Sequence, residues 1–175
     1  GESKADGMFK LAELLWEEAR RTYLLDMDEF ERQLEACRVA PGGCGKPPTE
    51  PRIQLAEAAG LDTALLDEFP AFRRADLVLY LIGFAAKEDC KEAEALGYFR
   101  QVIANHPTSP LWGDSWMMVG EHHFAKTEWE EARDAFSNIL NNPDAPTYDL
   151  AMFKTAWCDN TVRLNGQVMG GGGFG

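Results

Sequence analysis

Over most of the chain, apolar residues fall three and four apart, and nowhere do they alternate every second residue for long. Met8, Leu11, Ala12, Leu15, Ala19, Tyr23 and Met27 share one helical face, with Glu13, Glu17, Glu18, Arg20 and Arg21 largely between them. This predicts one long helix, or two abutting ones, over 5–36. The stretch Ala40-Pro41-Gly42-Gly43-Cys44-Gly45-Lys46-Pro47-Pro48 breaks regular backbone and predicts an inserted loop. From Pro51 to Phe69 the helical pattern resumes, is interrupted at Gly60, and can restart at Leu61-Asp62-Thr63. Beyond Pro70 the pattern predicts helices near 74–87, 91–106, 109–125, 128–141 and 147–164. Gly166 would end the last of them, leaving Gln167 to Gly175 as a glycine-rich mobile tail.

These segments repeat. Gly83, Ala95, Phe99 and Pro107 recur as Gly120, Ala132, Phe136 and Pro143, displaced by 37 residues and, at the proline, by 36. Val102-Ile103-Ala-Asn-His106-Pro107 matches Ile139-Leu140-Asn-Asn-Pro143, and Leu65-Leu66-Asp-Glu-Phe69-Pro70 is a weaker third copy. Such a period with small residues at matching helix positions signals stacked helix–turn–helix units. The glycines and alanines let paired helices cross closely, the phenylalanines fill the gap between them, and the prolines close each second helix. One such unit cannot bury its own apolar face, so the array is the folding unit. The expected fold is an all-α solenoid of antiparallel helix pairs. Its expected organisation is an irregular N-terminal helical unit over 1–70, regular repeats over 71–166 and the tail over 167–175.

Trp116, Val119-Gly120, Ala132, Phe136 and Pro143, with Leu79, Ile82-Gly83, Ala95, Phe99 and Pro107 one unit earlier, resemble the tetratricopeptide-repeat pattern over about residues 74–165, and less clearly from residue 5. His123 and Ala86 stand where that family has an aromatic, and Ala12 and Ala156 where it has glycine. Finer text is similar to bacterial envelope members of the family: Arg73-Arg74-Ala-Asp-Leu-Val-Leu-Tyr-Leu-Ile-Gly, Gly120-Glu-His-His-Phe, and Tyr148-Asp-Leu-Ala-Met-Phe-Lys-Thr-Ala-Trp157-Cys158. Among these are outer-membrane assembly lipoproteins, cell-division coordinators and gliding-motility repeat proteins. The resemblance implies a non-enzymatic, extracytoplasmic protein-interaction scaffold without cofactor. It does not choose among those processes.

In that family, positions 2, 5, 9 and 12 of each first helix line a concave groove. The register puts Phe9, Tyr80, Met117 and Phe153 at position 5. It puts Phe84 and Trp157 at position 9 beside Glu13 and Glu121, and Trp16 and Phe124 at position 12. The resemblance thus implies an apolar groove with acidic points, suited to an amphipathic helix or an extended peptide bearing Lys or Arg. The competing reading makes the same side chains ordinary core. The last helix presents Leu150, Met152, Phe153, Trp157 and Val162, which points to a neighbour such as a second copy, or to burial against the preceding repeat.

With 17 basic against 29 acidic side chains the net charge is −12. The excess is spread, 8 against 15 over 1–70 and 9 against 14 over 71–175, which disfavours nucleic acid and suits a basic partner. No run of about 18 apolar residues offers a membrane span, and Gly1-Glu2-Ser3 begins no signal-peptide pattern. Cys37 and Cys44 flank a turn-rich segment that can bring them into a disulfide, placing the protein in an oxidising compartment; reduced thiols would place it in the cytoplasm. Glu121, His122 and His123, with His106 and Glu128 nearby, suggest a metal-dependent rival. Adjacent helical histidines diverge, however, so no metal site is expected. Asp26-Met-Asp-Glu-Phe-Glu lacks the spacing of a calcium loop and reads as a solvated helix face. No nucleophile or phosphate-binding motif is present.

Overall fold

The computed structural model describes residues 3–170, with side chains over 3–165. Among the described residues there are seven α-helices and no strand. The chain divides into two compact units, the first ending at Ala75 and the second starting at Asp76.

The first unit is a hairpin of α1, Lys4–Val39, and α2, Ala56–Glu68. Ser3 starts α1 with a reciprocal cap: its Oγ accepts the Asp6 N–H, and the Asp6 carboxylate accepts the Ser3 N–H. The charge–apolar pattern over 5–36 thus produces one continuous helix, with no break. Its N-terminal third buries Ala5, Phe9 and Ala12, while α2 buries Ala58, Asp62 and Leu65. The Phe9 ring lies 5.3 Å from Phe72 and under the Arg74 guanidinium at 5.2 Å. Gly60 does not interrupt α2. It sits on the exposed side, where a mid-helix glycine costs about 1 kcal/mol but leaves the backbone hydrogen bonds intact.

At about 1.5 Å per residue, α1 is some 54 Å long and α2 about 20 Å, so α1 far outruns its partner. Leu15 to Asp26 and Arg52 to Ala58 line opposite sides of a shallow 180 Å³ groove. Past that groove, Cys37 is joined to Cys44, with Cα atoms 4.8 Å apart. Gly42 and Gly43 supply the left-handed turn between them at φ +87 and +73.

The second unit consists of α3, Ala75–Glu88; α4, Glu92–Asn105; α5, Trp112–Ala125; α6, Trp129–Ile139; and α7, Tyr148–Gly170. Phe99 sits over Gly83, and Phe136 sits over Gly120. One core joins Met117, Ala132, Phe136, Ile139, Ala145, Ala151 and Cys158. A second joins Ala86, Ala95, Leu96, Phe99, Val119 and Ala135. Each fully buried phenylalanine contributes about 2–3 kcal/mol of transfer free energy.

The repeat is as visible in the backbone as in the side chains. After α3 and after α5 the chain turns through the same left-handed residue, Cys90 at φ 60 and Thr127 at φ 61. The next N–H reaches back five residues, Lys91 to Ala86 and Glu128 to His123. Between successive helix pairs of the second unit, Ser109 N–H bonds His106 and Trp112 N–H bonds Ser109; Ala145 bonds Asn142 and Tyr148 bonds Ala145 in the same way. Within the first unit, Phe72 bonds Phe69 and Ala75 bonds Phe72, so the weak third copy has the same turn. Gly166 does not end α7. The helix runs on to Gly170, because glycine weakens a helix without removing its donor; the rest of the expected tail, 171–175, lies outside the described residues.

Candidate functional site

The groove column expected from the sequence separates into distinct environments. Phe9 is buried in the first unit, and Met117 is buried in the second among Ala132, Phe136 and Ile139. Both are core, so neither offers surface to a partner. The reason is packing: α6 covers Met117, and the Phe72 ring and the Arg74 guanidinium lie against Phe9. Tyr80 is half-buried, its ring 5.4 Å from Phe99, and burial together with the nearby Asp114 carboxylate raises its hydroxyl pKa. Phe84 is half-buried as well.

Trp16, also half-buried, donates its indole N–H to Asp62 Oδ2 at 2.8 Å. Asp62 is fully buried and its Oδ1 has no hydrogen-bond partner. Burial raises that carboxyl to about 6, opposed by the Trp16 bond and reinforced by Glu13. Sequence reading places Asp62 at a helix start, and no local signal marks it as buried. The α1–α2 crossing alone puts it beneath Trp16.

Glu121 and Phe124 come together through a residue the register does not single out. Lys154 on α7 bonds Glu121 Oε1 at 2.9 Å and lies 4.3 Å from the centre of the Phe124 ring. Phe124 in turn packs edge-on against Trp129 at 5.1 Å. Beside this, Phe153 and Trp157 on α7 have ring centres 6.0 Å apart and both stand open to solvent. The same helix also exposes Leu150 and Met152 before this pair and Leu164 after it. Val162, expected to be part of this surface, is half-buried.

The histidines point to different carboxylates. His122 Nδ1 meets Glu92 at 3.0 Å across α4–α5, and His123 Nδ1 meets Glu128 at 2.6 Å. That contact holds the Glu128 carboxyl below its ordinary range. Among the described residues, no three His, Cys, Asp or Glu side chains converge as a metal site would require. A 550 Å³ cleft beside His122 is lined by Lys87, Glu92, Leu96, Met118, Glu121 and Lys126, mixing both signs of charge with apolar floor. No described helix is long and apolar enough to cross a membrane.

With this geometry in place, residues 77–109 match the tetratricopeptide repeat family, which covers α3, α4 and the turn that follows. No solved structure matches the chain. The fold is therefore an all-α, tetratricopeptide-like helical repeat, a class whose members generally mediate protein–protein contact.

Proposed function

We propose that this chain is a non-enzymatic scaffold that binds another protein through the open face of α7 and the adjoining Glu121–Phe124–Lys154 cluster, within a bacterial envelope assembly. One observation carries this reading. Phe153 and Trp157 are exposed at repeat positions whose α5 equivalents are the buried Met117 and the Lys154-bonded Glu121. Large aromatics clustered in the open are the side chains that most often anchor a partner, and covering them removes apolar area from water. The partner surface is a helix or extended segment with apolar anchors, and the net charge of −12 favours one with basic residues. The envelope assignment is supported by the Cys37–Cys44 pairing, which suits an oxidising compartment.

Cross-linking in the native cell tests the reading. Capture should be lost in the Phe153→Ser, Trp157→Ser double variant, with helicity retained because neither side chain is in the core. Undiminished capture would move the partner site elsewhere. Full alkylation of Cys37 and Cys44 in protein taken from its native compartment would remove the envelope assignment.

A further inference from the structure

One place in the repeat is filled by the protein's own rings in the later copy and left open in the earlier one. At a displacement of 37 residues, Lys87, Glu92, Ala95 and Phe99 correspond to Phe124, Trp129, Ala132 and Phe136. The turn bonds from Lys91 to Ala86 and from Glu128 to His123 hold the same register in the backbone. In the later copy the Phe124 and Trp129 rings meet edge-on at 5.1 Å and pack on the core that contains Ala132 and Phe136. In the earlier copy a lysine and a glutamate stand where those rings would be, and the 550 Å³ cleft opens over Ala95, Leu96 and Phe99. All three floor residues are buried, and Met118 on α5 forms part of the opposite wall. Lys87 and Glu92 cannot replace the missing rings, because their charged ends stay in water.

The rim sets the charge of what can enter. Glu92 meets His122 at 3.0 Å and Glu121 meets Lys154 at 2.9 Å, so both carboxylates of the cleft already have a partner. Lys87 and Lys126 are exposed, and neither ammonium makes a hydrogen bond or ion pair among the described residues. Lys126 acts on Glu128 only through its field, and Glu128 is bonded to His123. The bonding capacity left at the rim is that of two ammonium groups, which suits a carboxylate.

We propose that this cleft seats one aromatic side chain of a partner protein, Trp or Phe, from a segment in which an adjacent Asp or Glu reaches Lys87 or Lys126. The ring gives Ala95, Leu96 and Phe99 the cover that Phe124 and Trp129 give Ala132 and Phe136. This is a site separate from the α7 face, and its ligand is opposite in charge to the basic segment suited to that face.

NMR titration of the isotope-labelled full chain with a capped Ser-Asp-Trp-Glu-Ser peptide tests this. Saturable amide shifts should centre on Leu96 and Met118, and replacing the peptide's Trp by Ala should abolish them. Lys87→Glu and Lys126→Glu should each weaken binding about fivefold. Lys87→Phe combined with Glu92→Trp rebuilds the closure of the later copy and should abolish binding at unchanged helicity; the two single lysine reversals decide the matter if that variant does not fold. No saturable shift, equal binding of a Ser-Lys-Trp-Lys-Ser peptide, or binding indifferent to both lysine reversals overturns the site. The Phe153→Ser, Trp157→Ser double variant should bind the peptide as wild type does. Loss of the peptide in that variant would place it on α7, which overturns this inference and leaves the scaffold reading in place.

Discussion

Phe136 occupies the space over Gly120 that any side chain there would need: a methyl group added at Gly120 would overlap the Phe136 ring. The equivalent pair one repeat earlier is looser, with a methyl at Gly83 falling 3.0 Å from the Phe99 ring and 3.1 Å from Tyr98 Cβ. Gly120→Ala should therefore destabilise the protein by about 1–3 kcal/mol, since overpacking outweighs the helix propensity gained. Gly83→Ala should stay within about 1 kcal/mol of wild type. Urea unfolding of the two variants checks the order, and equal effects would mean that the two pairs are packed alike.

Thr127 holds φ 61 at the α5 terminus, a conformation that a β-branched residue adopts at a cost of about 1–3 kcal/mol. Thr127→Gly should raise stability by about 1 kcal/mol, and Cys90→Gly, at φ 60, should do the same at the α3 terminus. Thermal midpoints read this directly, and a fall in both would show that the side chains contribute more than the strain costs.

Asp62 makes stability depend on pH in the opposite sense to a salt-bridged carboxylate. Its carboxyl is raised from 3.8 to about 6, so between those values the folded protein holds a proton that the unfolded chain has released. Stability is greatest below about pH 4 as far as this group is concerned, and falls by about 1–3 kcal/mol as pH rises through 6. Asp62→Asn keeps an acceptor for Trp16 and removes the titration. Its stability should be flatter than wild type between pH 4 and 6.5, and a variant with the wild-type slope would assign that slope to another group.

The Cys37–Cys44 link closes a seven-residue separation at the far end of α1. By the chain-entropy model this contributes about 2–3 kcal/mol. Reduction should increase hydrogen exchange over residues 27–39, where α1 has outrun α2, and leave α4 to α6 unchanged. Exchange that rises equally in both units would show that the two unfold together.

The recurrence of Gly, Ala, Phe and Pro was enough, by itself, to determine the helix pairs, because close crossing, gap filling and helix termination each demand a particular residue type at a particular spacing. Helices α3 to α6 follow from that local chemistry, whereas α2 runs through the expected break at Gly60 and α7 runs past Gly166. The equivalence of Phe69, His106 and Asn142 was visible only as a weak text match, since the turn they share is made by backbone groups that any residue supplies.

Exposure was decided by the tertiary structure. Phe9, Tyr80, Met117 and Phe153 hold one register position, yet Met117 is buried by α6 and Phe153 is open, because burial depends on whether a second helix arrives. Sequence periodicity records which face of a helix is apolar and carries no information about what covers it. For the same reason Asp62, an ordinary acidic residue on a helix, becomes a buried acid only when Trp16 crosses above it, and Lys154 joins Glu121 to Phe124 only once α7 has packed beside α5.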